Sequence, residues 1–275
     1  MTKISMSGDK QESGSTTVLF LTLLRIRFLL IMRYKANFLA ELLGIYLFFA
    51  IIFFGGQEAA RQMGVETGSF GSAIEVLVIS WFLWTMAQSA YFSISKEITQ
   101  ESRWGTLEQL YISSHGFGKI FGAKIVVNVL ISLLTGGVVL ALLLVTTGQS
   151  LAIDILSVLP ITILALVPIV GTGFAFGGLT LVYKKLDSVS HLMQFALIGL
   201  VAAPATDYSY INILPLVQGS AMLHETMQNG IRLWQFPILD IILLVATAVA
   251  YMIVGYAIFR YCSQLARARG VMGHY

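Results

Sequence analysis

Residues 96–114 read KEITQESRWGTLEQLYISS, a charged, turn-broken stretch set between two long apolar runs. The surrounding chain is 57% apolar and only 11% charged, with a mean hydropathy of +0.82. Soluble domains carry about 25% charged residues, so an all-α integral membrane protein is expected. A segment as polar as 96–114 cannot rest in hydrocarbon. It must close one membrane span and precede the next, which sets the frame for the remaining elements.

A spanning helix needs about 20 apolar residues. Working outward, six windows meet that need: 38–55, 73–95, 120–147, 153–183, 189–204 and 238–259. The fourth holds Pro160 and Pro168 with Gly171, Gly173, Gly177 and Gly178, which predicts kinks or close helix contacts. The fifth is the shortest and ends at Pro204.

Six spans put both termini on one side. Fifteen of the 17 Lys and Arg residues fall on that side, and only Arg61 and Arg232 on the other. The positive-inside rule makes the crowded side cytoplasmic, together with both termini and residues 96–114. Residues 1–15 are polar and read as a flexible cytoplasmic tail with no cleavable signal peptide. Residues 261–275 form a basic cytoplasmic tail, read as an anchor to anionic lipid rather than to nucleic acid. Between them, 16–260 is expected to form one membrane domain.

Two further stretches are neither spans nor plain loops. Residues 16–35 are apolar but carry Arg25, Arg27, Arg33 and Lys35, so a helix lying along the interface is expected. Residues 206–236 lie outside and are moderately apolar. Pro215 stands where a helix can begin and Gly230 where one can end. A hairpin of short, partly buried helices would satisfy this backbone better than an exposed loop.

In 96–114 itself, Glu97 and Glu101 stand one turn apart on the continuation of the second span. Gly105 breaks the helix, Thr106 follows as an N-cap, and Gln109 stands three residues on, the spacing of a capping box. Glu108 falls in the new first turn, where the helix dipole favours an acid. Trp104, Leu107, Leu110 and Tyr111 supply an apolar face. The expected object is a two-turn helix over 105–113, offered to a soluble partner.

Gly105-Thr106-Leu107-Glu108-Gln109-Leu110, with glutamates upstream and a new span soon after, resembles the coupling-helix region of type-2 ABC transporter permeases. The order of elements resembles that family too: interfacial helix, six spans, this motif in the first cytoplasmic loop, and a re-entrant hairpin before the sixth span. Arg103 and Ser114 depart from the family pattern, which often has an acid and a proline there.

The resemblance implies a non-catalytic permease half of an exporter. It would pair as a homodimer and be driven by a separate ATP-binding cassette ATPase subunit that holds ATP and magnesium. The ATPase subunit would meet Glu97, Glu101, Arg103, Trp104, Gly105, Thr106, Leu107, Glu108, Leu110 and Tyr111. No GxxxxGK[ST] phosphate loop occurs in the chain.

For a translocation path, the second span offers Trp81, Trp84, Gln88 and Phe92 at spacings of three and four. The competing reading of these residues is helix packing. The fifth span adds His191 and Gln194 on one face, and polar residues at membrane depth face a bundle interior. Asn128 reads as an interhelical hydrogen bond. The single cysteine and four scattered histidines form no metal-ligand spacing. The expected cargo is amphipathic: a lipid, a lipid-linked glycan, a drug or a peptide. An ion-coupled secondary transporter and a membrane lipid-modifying enzyme are the alternative readings.

Overall fold

The computed structural model describes residues 16–62, 70–103, 117–183, 187–203 and 209–268. Every regular element among them is helical. In chain order these are α1 (Thr16–Arg33), α2 (Lys35–Gln62), α3 (Phe70–Arg103), α4 (Phe117–Thr147), α5 (Ile155–Tyr183), α6 (Asp187–Ala202), α7 (Val217–Asn229) and α8 (Ile238–Ala268). Short 3₁₀ turns at Ser209–Ile213 and Leu233–Gln235 flank α7.

Five helices are long and apolar enough to cross a bilayer, through Lys35–Ala59, Ser72–Ser93, Ile120–Thr147, Ile155–Tyr183 and Ile238–Ala266. This fits a multi-pass membrane protein. The sixth expected span, 189–204, coincides with α6, whose apolar part is only Leu192–Ala202. Sixteen helical residues rise about 24 Å, less than the roughly 30 Å of a bilayer core. Asp187, Ser188, Ser190 and His191 use up its first turns with polar groups. The six-span count therefore exceeds what helix length alone supports.

α3 and α5 form the centre, each 56% buried over its apolar window, whereas α2 and α8 are 17% and 22% buried. The exposed remainder of α2 is apolar, including Leu39, Leu43, Leu47 and Ile51. A surface of that kind belongs against lipid or a second protein.

The α5 helix opens on Asp154, whose carboxylate accepts from the Leu156 N–H at 3.3 Å and the Ser157 hydroxyl at 2.8 Å. Such a cap satisfies donors that a helix start leaves unpaired. The helix runs unbroken through Pro160 and Pro168, each of which removes one backbone hydrogen bond. Its glycines show why the strain is tolerated. Gly171 lies against the backbone of Tyr251 and Met252, and Gly178 lies 2.8 Å (measured from a Cβ built on it) from the Phe259 Cα. Gly255 on α8 answers Gly171 in turn. Small residues let membrane helices approach closely enough for dispersion contacts to replace a hydrophobic drive. The expected close helix contacts are thus present, against α8.

The 206–236 segment holds the expected short helices over its described part. Leu216 sits at φ 74 immediately before α7, one residue after Pro215, and Gly230 closes the helix at φ 69. The Gly230 N–H donates to the carbonyls of Glu225 and Thr226, the arrangement glycine permits at a helix end. α7 is far from exposed. Val217, Ser220, Leu223 and Met227 are buried against α3, α5 and α6. The Ser220 hydroxyl donates to the Val201 carbonyl at 2.8 Å, tying α7 to the end of α6.

The stretch 16–35, expected to lie along the interface, is helical as α1, which turns into α2 at Tyr34. It has no buried residue, and Val18, Leu21, Phe28 and Leu29 are all more than half exposed. It lies against α4. Residues 104–116, with the expected coupling helix and Trp104, Gly105, Thr106, Leu107, Glu108, Leu110 and Tyr111, fall outside the described residues. So do the tails 1–15 and 269–275.

Candidate functional site

The α3 helix continues as a regular helix beyond its apolar window, from Ser93 to Arg103. This carries Glu97 and Glu101 past the hydrophobic part and against α4. There Lys124 Nζ lies 2.7 Å from Glu101 Oε1 and 4.0 Å from Glu97 Oε2. Asn128 Nδ2 donates to Glu97 Oε1 at 3.0 Å. The three charged side chains are only 15–19% exposed.

Two carboxylates at i and i+4 repel one another. A shared ammonium at this depth removes that repulsion and replaces their lost hydration. The Lys124 ammonium also lies over the Phe121 ring, 5.9 Å from its centroid, which adds a cation–π contact.

The sequence placed Glu97 and Glu101 correctly on one face of a continued helix. It did not reveal that α4 supplies a cation and an amide to them. Lys124 was legible only as one of many cations on its side of the chain, since nothing local links it to residues 23 positions away. Asn128 forms the interhelical bond expected of it, with Glu97. Arg103 closes the described part of α3, and its side chain lies outside the described residues.

The residues proposed for a translocation path separate into groups. Trp81 and Trp84 are 7% and 4% exposed and pack on each other at 4.8 Å. Phe48 and Phe49 of α2 meet them edge-on at 5.2 and 5.6 Å. The Trp84 indole N–H donates to the Gln194 carbonyl at 3.4 Å, so α6 closes the other side of the cluster. Gln88 is half-buried further along α3, and Phe92 packs on Tyr91 near its polar end. The side chain of His191 lies outside the described residues.

Within the chain Trp81 and Trp84 are packed among aromatic neighbours. Rings at 4.5–7 Å in tilted or edge-on geometry add about 0.5–1.5 kcal/mol per pair beyond area burial. The Trp81 N–H has no partner among the described residues.

A polar contact that sequence reading missed joins α3 to α7. Ser80 Oγ and His224 Nε2 lie 3.2 Å apart, and Gln228, one turn on, donates to Glu75 at 3.4 Å. Burial lowers the His224 pKa to about 4, against an opposing pull from Glu225. A folded pKa below the unfolded value means that the unfolded chain binds the proton first. Stability is then fully present above pH 6.5 and falls as the pH drops toward 4.

Discounted for the ring's partial exposure, the loss is about 2 kcal/mol. His224→Gln is expected to flatten the fall in melting temperature between pH 6.5 and 4. An unchanged pH profile in the variant would remove His224 as the cause.

Among the described residues no three His, Cys, Asp or Glu side chains are grouped to hold a metal ion. One cavity of about 450 Å³ opens beside the charge cluster, between α1, α3 and α4. Compared with protein-family models, with curated proteins and with solved structures, the chain matches none.

Proposed function

We propose that the chain is the membrane-spanning permease subunit of an ATP-binding cassette exporter for an amphipathic, lipid-like substrate. A separate ATPase subunit would power alternating access in a homodimer of this chain in the cell membrane, with α6 as a sixth, short span and 206–236 as a re-entrant hairpin.

The observation that carries the reading is the GTLEQL motif at 105–110, placed directly after a helix that leaves the apolar layer. Support comes also from a separate helix, α1, ahead of the first long apolar helix and from the short helices before α8. ATP-driven closure of the ATPase subunits would press on the 105–113 segment and rock the spans between inward- and outward-facing forms.

Leu107 is the sharper probe of that interface, because Glu101 already has a partner inside the chain. An aspartate at Leu107 puts a charge on the apolar face meant for the partner. Co-purification with the ATPase subunit is expected to fall at least about tenfold, as for loss of an interface hot spot. The monomer's thermal melting should be unchanged. Full assembly and ATP-dependent transport by Leu107→Asp would overturn the reading. Transport in vesicles that runs on an ion gradient without ATP would favour a secondary transporter instead.

A further inference from the structure

The cavity beside Glu97 has a mixed lining. Leu23, Ile26 and Leu30 of α1 and Val127 of α4 are its apolar members. Arg27 of α1, Glu97 of α3 and Lys124 of α4 are its charged ones. A volume of about 450 Å³ is far more than a few waters fill and falls within the range of small-ligand sites.

The charges in the cavity are not evenly matched. The Lys124 ammonium sits 2.7 Å from Glu101 and 4.0 Å from Glu97. Glu97 Oε2 is therefore loosely held, while its other oxygen takes the Asn128 amide. Arg27, also in the cavity lining, is half-buried on α1 and pairs with no carboxylate among the described residues. The site thus offers one cation for an anion and one carboxylate oxygen for a cation.

A free anion would satisfy only Arg27, and an inorganic cation only Glu97. A zwitterion with both ends satisfies both. The apolar part of the lining, and the exposed Leu21, Phe28, Leu29 and Met32 of α1, point to a zwitterion at a lipid surface.

We propose that this cavity binds a phospholipid with a primary-amine headgroup, its phosphate on Arg27 and its ammonium on Glu97. The glycerol backbone and first acyl carbons would lie on Leu23, Ile26, Leu30 and Val127. A primary ammonium donates hydrogen bonds to a carboxylate, whereas a quaternary one has no N–H to give. The site is a property of the folded chain and does not depend on the transport reading.

The test uses the purified full-length protein with phosphatidylethanolamine, phosphatidylcholine and phosphatidylglycerol added in turn, and retained lipid read by native mass spectrometry. Phosphatidylethanolamine is expected to be retained about tenfold more than the other two, the weight of one charge-assisted hydrogen bond. Arg27→Gln, on a helix with no buried residue, is expected to lose that preference without loss of fold. Glu97→Gln keeps an oxygen for Asn128 and should level ethanolamine with choline lipid. Arg25→Gln, at an exposed position on the same helix, should change nothing. Soluble phosphoethanolamine should fail to displace the lipid. Equal retention of the three lipids, stronger retention of the glycerol lipid, indifference to Arg27→Gln, or displacement by soluble phosphoethanolamine would each overturn the proposal.

Discussion

Gly255→Leu is expected to abolish accumulation of folded protein. A Cβ at Gly255 would fall onto the Gly171 carbonyl group, well inside van der Waals contact, and one at Gly171 would fall onto the Tyr251 carbonyl. Both obstacles are backbone, so no side-chain rotation relieves them. The α5 and α8 axes would have to separate, and this is the most extensive helix pair in the molecule. Overpacking a core commonly costs about 1–3 kcal/mol and more where nothing can yield. Even Gly255→Ala should sit at the upper end of that range.

The control is built into the chain. Gly137 and Gly199 lie in helices with nothing within 4 Å of a built Cβ. Alanine there should be neutral or stabilising by up to about 1 kcal/mol, from helix propensity alone. Size-exclusion profiles and melting temperatures of the variants in detergent check the contrast. A Gly255→Leu protein that elutes as a single sharp peak with native melting would show that α5 and α8 do not cross this closely.

The second large effect is expected at Lys124. Lys124→Met keeps the stem's length and apolar contacts but takes the ammonium away from two carboxylates one turn apart, each less than one-fifth exposed. Removing one partner of a buried ionic group costs about 3–5 kcal/mol when burial is complete. With the residual exposure here, about 2–3 kcal/mol is expected. The double variant Lys124→Met/Glu101→Gln removes the repulsion and should recover most of the loss. Melting of the two single variants and the double variant closes the cycle. Equal melting of Lys124→Met and wild type would show that the ion pair contributes nothing.

This experiment also bears on the proposed ATPase interface. A charge reversal at Glu101 disturbs α4 from within, so lost assembly in Glu101→Arg cannot be assigned to a partner subunit alone. The charge swap Glu101→Lys/Lys124→Glu restores the internal pair while reversing the sign any partner would meet. It separates the two causes.

Much of the architecture could be read from residues close together in sequence. Apolar windows are local, so the five spanning helices appear where composition puts them. Gly230 ends α7 because a left-handed turn there needs no Cβ. Composition alone marks 189–204 as a span, whereas the polar run from Asp187 to His191 leaves α6 an apolar part of only Leu192–Ala202. The candidate site was legible on one side only. Glu97 and Glu101 follow from helical spacing, whereas their contacts with Lys124 and Asn128 depend on how α3 and α4 align. The Ser80–His224 contact spans 144 positions and has no local sequence signature. Trp81 and Trp84 have the spacing of one helix face, and spacing alone does not say whether that face meets cargo or, as here, Phe48 and Phe49.

The unbroken course of α3 has a mechanical meaning. From Ser72 to Arg103 it contains neither proline nor glycine, the residues at which helices bend. Trp81, wedged among aromatic rings, and Glu101, clasped by Lys124, are therefore the two marked points on one stiff rod, about 30 Å apart along its axis. A tilt imposed at the charged end is not absorbed on the way. It arrives at the tryptophans as displacement, to be taken up by Phe48 and Phe49 of α2 and by α6 at Gln194.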